Sequence, residues 1–164
     1  MDFVDRDSEL QALQHEYERE SSSLIVIYGR RRLGKTELIR HFIEDKLSLY
    51  FLATEESEAM NREAFQSQAA DFLDNDLLRD SVLTRWEPIF QQLAQTAEKQ
   101  RIVIVIDEFQ YIGKSNPAFI SVFQRIWDTI LQQANVMLIL CGSLVSMMMS
   151  QTLNHSSPLY GRRT

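Results

Sequence analysis

A glycine-containing segment between two apolar segments has the residue types that bind a phosphate group. Residues 29–36 read Gly-Arg-Arg-Arg-Leu-Gly-Lys-Thr, and they match the pattern G-x-x-x-x-G-K-[ST] at every fixed position. Glycines let backbone N–H groups approach an anion closely, and a helix that follows directs its first N–H groups at the same anion. The segment therefore predicts a site for the phosphates of a nucleotide.

The positions of this segment are predicted to take different parts in binding. Lys35 would reach the β- and γ-phosphates, and the Thr36 hydroxyl would ligate Mg²⁺. The three arginines occupy variable positions, so we expect them to raise the local positive potential or to reach a partner subunit. A chance match in a basic turn is the alternative, which a flanking strand and helix disfavour. The predicted nucleotide-binding residues of the segment are Gly29, Arg30, Arg31, Arg32, Leu33, Gly34, Lys35, Thr36 and Glu37.

Two adjacent acidic residues follow the most apolar strand candidate of the chain. The run RIVIVI at 101–106 ends in Asp107 and Glu108. We predict that Asp107 holds Mg²⁺ through the water shell of the metal, as a carboxylate at the end of a neighbouring strand can. Glu108 would orient or deprotonate the attacking water, so Glu108 and Lys35 are the predicted catalytic residues. The alternative is a strand that re-enters solvent through two acids.

The nucleotide and the acceptor can also be predicted from these motifs. The chain contains no Asn-Lys-x-Asp segment, which is the segment that Ras-type GTPases use to bind guanine, so ATP is favoured. A glutamate beside the metal aspartate is typical of hydrolases in which water is the acceptor. The predicted cofactors are therefore ATP and Mg²⁺.

The predicted elements place both motifs at the ends of strands. Apolar spacing predicts helices at 6–19, 35–45, 57–73, 82–99 and 117–133, and strands at 24–28, 48–53, 101–106 and 136–141. A further helix is predicted to begin at 143–150, followed by a loop at 150–158. Strands that alternate with helices predict an α/β fold with a parallel sheet covered on both faces.

Length, charge and cysteine content exclude several classes of protein. A chain of 164 residues is long enough for one domain. Its net charge of −6 is unlike that of a dedicated nucleic-acid binder, so a DNA contact would need a local patch or another domain. The single Cys141 excludes an internal disulfide and suits a reducing compartment. We find no signal peptide and no apolar run near the ~20 residues that span a bilayer, so we expect a cytoplasmic protein without a membrane partner.

Four stretches of the chain resemble the archaeal-type ATPases of the STAND group, a branch of the P-loop ATPases related to AAA+. They are FVDRDSEL at 3–10, IYGRRRLGKTELI at 27–39, IVIDEFQYI at 104–112 and LILCGSLVSMM at 138–148, and SPLYGRRT at 157–164 fits as well. The resemblance implies a three-layer P-loop domain with strand order 5-1-4-3-2. The fifth strand would follow Thr164 and be missing here, which would leave 24–28 at the sheet edge or covered by another chain.

The resemblance also implies roles for residues outside the two motifs. Phe3, Val4 and Arg6 would lie near the adenine. Ser143 would sense the γ-phosphate, or would simply cap a helix. Arg162 or Arg163 would act as an arginine finger, in cis or towards a neighbouring subunit, unless the pair is only solvated surface.

These expectations together predict Mg²⁺-dependent ATP binding and hydrolysis that serve as a switch or motor for other domains. Residues 1–164 would form an ATPase domain truncated at its C-terminus, which winged-helix and nuclease-like domains follow in the full-length protein. One alternative is a nucleotide-gated interaction module with negligible turnover, and another is a DNA-associated ATPase that acts through the missing region. The expected partners are ATP or ADP, a second copy of the chain, and DNA or a protein bound by that region.

Overall fold

Strands and helices alternate through the residues that this computed structural model describes, which are 7–28, 33–142 and 157–158. The helices are α1 (Asp7–Tyr17), α2 (Leu33–Ile43), α3 (Glu58–Leu73), α4 (Asp76–Asp80), α5 (Glu87–Thr96), α6 (Gln110–Ser115) and α7 (Ala118–Ile126). The strands are β1 (Ser23–Tyr28), β2 (Ser48–Leu52), β3 (Ile102–Asp107), β4 (Val136–Gly142) and β5 (Ser157–Pro158). All four predicted strands are present.

The strands form one parallel sheet in the order β2-β3-β4-β1-β5. Read from the opposite edge this is 5-1-4-3-2, so the predicted order is confirmed. The register places Leu52 of β2 beside Asp107 of β3, and Val105 of β3 beside Ile139 of β4. The central strands β3 and β4 are buried along their whole length, as expected for a sheet covered on both faces.

The edge of the sheet beside β1 carries a two-residue pairing, where a full fifth strand is predicted to be missing. Ser157 and Pro158 pair in parallel with Ile25 and Val26, so these two residues of β1 are covered by the chain itself rather than left at the edge. Two residues are too short for a period-2 pattern, which is why 150–158 was predicted as a loop. Pro158 has no backbone N–H, and this suits the outermost strand of a sheet. Within the described ranges the fifth strand is no longer than this pair.

Two apolar clusters, one on each face, make the sheet the middle of three layers. Strand alternation turns Val103 and Val105 towards α1 and α2, and it turns Ile104 and Ile106 towards the helices of the opposite face. The second face holds a group of aromatic rings whose centroids lie 5.0–6.5 Å apart, formed by Phe51, Phe65, Trp86, Phe90, Phe109, Phe119 and Phe123. Phe109 directly follows the predicted acidic pair, so this packing fixes the chain next to the candidate site.

Several helix predictions were wrong in their limits. The region 82–99 is helical only from Glu87, because Pro88 is tolerated in the first turn of a helix but not in its interior. The region 117–133, predicted as one helix, contains the α-helix α7, which ends at Ile126. A π-helical turn, Trp127–Leu131, follows it directly. The short helices α4 and α6 were not predicted, and the helix predicted at 143–150 falls outside the described residues.

The loop between β2 and α3 is held by one buried amide side chain. Asn61 is only 1% exposed. Its Nδ2 donates to the carbonyl oxygens of Thr54, Glu56 and Ser57 at 3.1, 3.3 and 3.1 Å, and its Oδ1 accepts from the Thr54 backbone N–H at 3.0 Å. This side chain therefore contacts four backbone groups of the loop that follows β2, with the two Nδ2 hydrogens shared among three carbonyls.

We expect Asn61→Ala to lower the free energy of unfolding by about 1–3 kcal/mol, because it removes a buried side chain whose hydrogen bonds hold the loop after β2. Urea denaturation followed by circular dichroism measures the change. Ser67→Ala, at an exposed position of the same helix, is the control and should change the value by less than about 0.5 kcal/mol. A loss as small as that of the control would show that water replaces the Asn61 contacts without cost.

Candidate functional site

The candidate site lies where the carboxyl ends of the parallel strands meet. Along the sheet, β2 lies on one side of β1, beyond β3 and β4, and β5 lies on the other side of β1. The direction of winding therefore changes between β1 and β4. Ligands of open α/β sheets bind outside the carboxyl ends of the strands at such a change.

Helix α2 presents a buried lysine at this end of the sheet. The helix begins at Leu33, so Gly34, Lys35 and Thr36 lie in its first turn, which contains no acidic residue. Lys35 is 7% exposed, and its Nζ has no hydrogen-bond partner among the residues described. A buried ammonium group without a partner is costly unless an anion compensates it. This lysine and the helix N-terminus are together suited to an anionic ligand.

The carboxylate of Asp107 is buried and held from two sides. Its side chain follows Val103 and Val105 on the face of β3 that packs against α2, and the residue is 4% exposed. Its Oδ1 accepts the Glu108 backbone N–H at 2.8 Å, and its Oδ2 accepts the Tyr50 hydroxyl. Each oxygen thus has one donor, which fixes the orientation of the carboxylate.

Tyr50 remains a hydrogen-bond donor at any ordinary pH. Burial raises the pKa of the Tyr50 hydroxyl well above its usual value, and the hydrogen bond to the Asp107 carboxylate raises it further. The Arg40 guanidinium lies 6.0 Å from the centroid of the Tyr50 ring and acts in the opposite direction more weakly. The phenol is therefore protonated where it meets Asp107.

Glu108 has an unusual backbone conformation directly after the strand. Its φ of 55° lies in the left-handed region, which costs a residue other than glycine about 1–3 kcal/mol. The surrounding contacts hold this turn in place: the Phe109 N–H donates to the Cys141 carbonyl at 2.9 Å, and Gln110 Nε2 donates to Glu108 Oε1 at 2.7 Å. Strain of this kind is concentrated at functional sites.

The thiol of Cys141, near the end of β4, has a pKa that responds to the charges of Lys35, Asp107 and Glu108. Burial raises the pKa of its thiol well above the usual value. The negative charges of Asp107 and Glu108 raise it further, and the positive charge of Lys35 lowers it. The structure therefore brings together Lys35, Asp107 and Glu108, which the sequence places in two segments about seventy residues apart.

Of the other predicted site residues, Thr36 and Glu37 lie on α2, and most of the rest fall outside the described residues. Thr36 is partly exposed in the first turn of α2, and Glu37 is exposed on the same helix. The remaining candidates fall outside the described residues, so their placement stays a prediction: Gly29, Arg30, Arg31, Arg32, Phe3, Val4, Arg6, Ser143, Arg162 and Arg163.

The available donors suit a magnesium ion better than a transition metal. Among the residues described, no group of three or more His, Cys, Asp or Glu side chains could hold a metal ion. Thr36 and Asp107 offer hard oxygen donors, and Mg²⁺ is commonly bound through one or two such groups together with phosphate and water. The residues present thus fit Mg²⁺ that arrives with a nucleotide.

Two polar residues of the site were missed at the level of sequence. Tyr50 was assigned only to an apolar strand, and Gln110 was not singled out although it lies in the stretch IVIDEFQYI. Gln110 is 8% exposed, and its Oε1 has no hydrogen-bond partner in the described part of the chain. Its position two residues after Glu108 is the signal that could have identified it.

Comparison with known proteins identifies a family for the whole chain. A family model described as an ATPase domain predominantly from Archaea matches residues 3–164. An uncharacterized protein of Methanocaldococcus jannaschii is 37% identical over 162 residues, which are 99% of this chain and 34% of that protein. The chain thus spans about a third of the length of this curated relative.

Solved structures with the same fold are more distant in sequence. The Walker-type ATPase PABY2304 of Pyrococcus abyssi matches with a TM-score of 0.61 and 20% identity, over 88% of this chain and 47% of that one. A chain from the structure of Drosophila ORC bound to DNA matches with a TM-score of 0.71 and 19% identity, over 94% of this chain and 42% of that one. Likeness at this identity shows the fold alone.

No helix in the described ranges is long and apolar enough to cross a membrane.

Proposed function

Because the chain belongs to the family of ATPase domains found predominantly in Archaea, we propose that it binds ATP with Mg²⁺ and hydrolyses it at the carboxyl ends of β1, β3 and β4. The observation that carries this proposal is the Lys35 ammonium group, which is 7% exposed and has no hydrogen-bond partner in the part of the chain that the structure describes. The β- and γ-phosphates would supply the missing negative charge. Gly29 to Glu37 would bind the phosphates through backbone N–H groups and the N-terminus of α2.

The metal would be held by the two oxygen donors that lie on this face of the sheet. The Thr36 hydroxyl would ligate Mg²⁺ directly, and Asp107 would bind its water shell. When bound, Mg²⁺ would neutralise charge on the β- and γ-phosphate oxygens. Asp107 suits this part because donors on both of its oxygens already fix its orientation.

Hydrolysis would depend on Glu108. A water molecule would attack the γ-phosphorus, the bond to the β–γ bridging oxygen would break, and ADP and phosphate would leave. Glu108 would orient that water and accept its proton. Its left-handed backbone directly after β3 and the hydrogen bond from Gln110 fix where this carboxylate lies, which supports this assignment.

Other residues would complete the site as the family resemblance implies. Phe3, Val4 and Arg6 would contact the adenine, Ser143 would sense the γ-phosphate, and Arg162 or Arg163 would act as an arginine finger. The nucleotide state would act as a switch or motor for further domains of a longer protein. This proposal is supported by the Methanocaldococcus jannaschii relative, because the matched region is only 34% of that protein.

A nucleotide-gated interaction module is the second candidate function. It would follow if the hydrogen bond that Gln110 Nε2 donates to Glu108 Oε1 persisted with nucleotide bound and kept that oxygen from the attacking water. In such a module ATP would bind without appreciable turnover. A role on DNA would require another region, because this chain carries a net charge of −6.

We expect the chain to release phosphate from ATP in the presence of Mg²⁺ and not in the presence of EDTA, and to prefer ATP over GTP. Phosphate release is measured in a coupled assay beside a titration with a fluorescent ATP analogue. ATP binding without Mg²⁺-dependent phosphate release would favour the interaction module. Absence of ATP binding would overturn both functions.

A further inference from the structure

The hydroxyl of Tyr50 reaches the proposed metal site from a neighbouring strand. Tyr50 is paired with Val105 in the register of β2 and β3, two residues before Asp107. Its ring packs against the apolar cluster on the face of the sheet that α1 and α2 cover. From this place the side chain extends towards the carboxyl end of β3, where its hydroxyl donates to Asp107 Oδ2.

The two donors that hold Asp107 are not equivalent. The N–H that binds Oδ1 belongs to the backbone of Glu108, and substitution cannot remove it. The donor to Oδ2 is a side chain from a strand 57 residues away in the sequence. The orientation of the carboxylate therefore depends on one atom that can be removed, the Tyr50 hydroxyl oxygen.

Tyr50 is held by one contact to its ring and one to its backbone. The Arg40 guanidinium of α2 lies 6.0 Å from the ring centroid, a distance at which a cation and an aromatic ring attract each other. The backbone carbonyl of Tyr50 accepts a hydrogen bond from Gln68 Nε2 of α3. Tyr50 thus connects α2, whose first turn contains Lys35, to β3, which ends at Asp107.

We propose that Tyr50 is a positioning residue for the magnesium site, where its hydroxyl holds the Asp107 carboxylate in the orientation that binds the water shell of the metal. This inference rests on the proposed function. Tyr50 itself would touch neither the metal nor the nucleotide. Groups that orient a metal ligand in this way typically change metal affinity about 10- to 100-fold when they are removed.

The test is the Mg²⁺ dependence of nucleotide binding by the full chain. A fluorescent, non-hydrolysable ATP analogue is titrated in EDTA, and Mg²⁺ is then titrated at a fixed analogue concentration. We expect Tyr50→Phe to weaken the apparent Mg²⁺ affinity by about tenfold and to leave analogue affinity in EDTA unchanged. Tyr17→Phe is the matched control, because Tyr17 packs against the same apolar cluster and its ring contacts Lys46 and Arg101 rather than the site.

A double-mutant cycle separates positioning from a general loss of structure. In the Asp107→Asn background, Tyr50→Phe should have no further effect on Mg²⁺ affinity, because the carboxylate that it positions is gone. A thermal unfolding curve of each variant shows that it is folded. If Tyr50→Phe alone fails to fold, Arg40→Ala, which frees one side of the ring, should weaken Mg²⁺ affinity in the same direction.

The outcomes distinguish this inference from the proposed function. Unchanged or tighter Mg²⁺ affinity in Tyr50→Phe, with normal Mg²⁺ dependence in the unaltered chain, would overturn the role of Tyr50 alone. An equal loss in the Asp107→Asn background would also overturn it, since the effect would not pass through Asp107. Absence of any Mg²⁺ effect in the unaltered chain would overturn the metal site and this inference together.

Discussion

Lys35→Ala should weaken ATP binding by about 2–4 kcal/mol, roughly 30- to 1000-fold in the dissociation constant. The substitution removes a buried cation that has no hydrogen-bond partner in the described part of the protein, so the phosphates would lose their main side-chain partner. Titration with a fluorescent ATP analogue in Mg²⁺ measures the change.

Lys46→Ala is the matched control for this variant. Lys46 lies just beyond the other end of the same helix, and its side chain is largely buried. Its Nζ already donates to the Phe42 carbonyl at 3.0 Å and to the Asp45 carboxylate at 2.9 Å. Nucleotide affinity should therefore be unchanged in this control. Equal affinities in Lys35→Ala and the unaltered chain would remove Lys35 from the site.

The two lysines should also differ in their effect on stability without nucleotide. Lys35→Met keeps the volume of the side chain but removes a buried ammonium group that has no hydrogen-bond partner in the described part of the chain, so the free energy of unfolding should stay constant or rise by about 1 kcal/mol. Lys46→Ala breaks two satisfied contacts and should lower it by about 1–2 kcal/mol. A substantial loss in Lys35→Met would mean that Lys35 already has a protein partner.

Glu108→Gln should lower the rate of ATP hydrolysis by about 10²- to 10⁴-fold and leave ATP affinity nearly unchanged. The amide has the shape of the carboxylate and keeps an oxygen that can accept the hydrogen bond from Gln110 Nε2. It cannot accept a proton from the attacking water. Phosphate release at saturating ATP and analogue titration measure the two quantities separately.

The control for this variant is another glutamate at the carboxyl end of the sheet, one that has no proposed role in hydrolysis. Glu56, in the loop after β2, is exposed and accepts a hydrogen bond from the Thr54 hydroxyl at 2.8 Å. Glu56→Gln should keep both turnover and affinity. If Glu108→Gln hydrolyses ATP as fast as the unaltered chain does, Glu108 is not the general base.

The two motifs could be predicted from the sequence because each is a local signal. The phosphate-binding segment and the acidic pair are each contiguous, and each follows a short run rich in β-branched residues that favours a buried strand. That they meet in space follows from the parallel sheet, whose carboxyl ends share one edge. The structure accordingly places Lys35, Asp107 and Glu108 near enough to Cys141 for their charges to act on the pKa of its thiol.

The contacts and backbone turns that surround these residues could not be predicted, because they depend on how distant segments pack together. The contact between Tyr50 and Asp107 depends on the register of β2 against β3, which no pattern within SLYFLA specifies. The left-handed φ of Glu108 arises from the tight turn into α6, a helix too short to show apolar periodicity. β5 has only two residues, so its pairing with β1 depends on tertiary contact rather than on propensity.

Isothermal titration of the unaltered chain with a non-hydrolysable ATP analogue in Mg²⁺ tests the central claim most directly. The account predicts saturable binding with about one nucleotide per chain, and weaker binding when EDTA replaces Mg²⁺. Absence of saturable binding at millimolar analogue, in a chain shown to be folded, would contradict the claim that the buried Lys35 and the carboxylate of Asp107 form a nucleotide site.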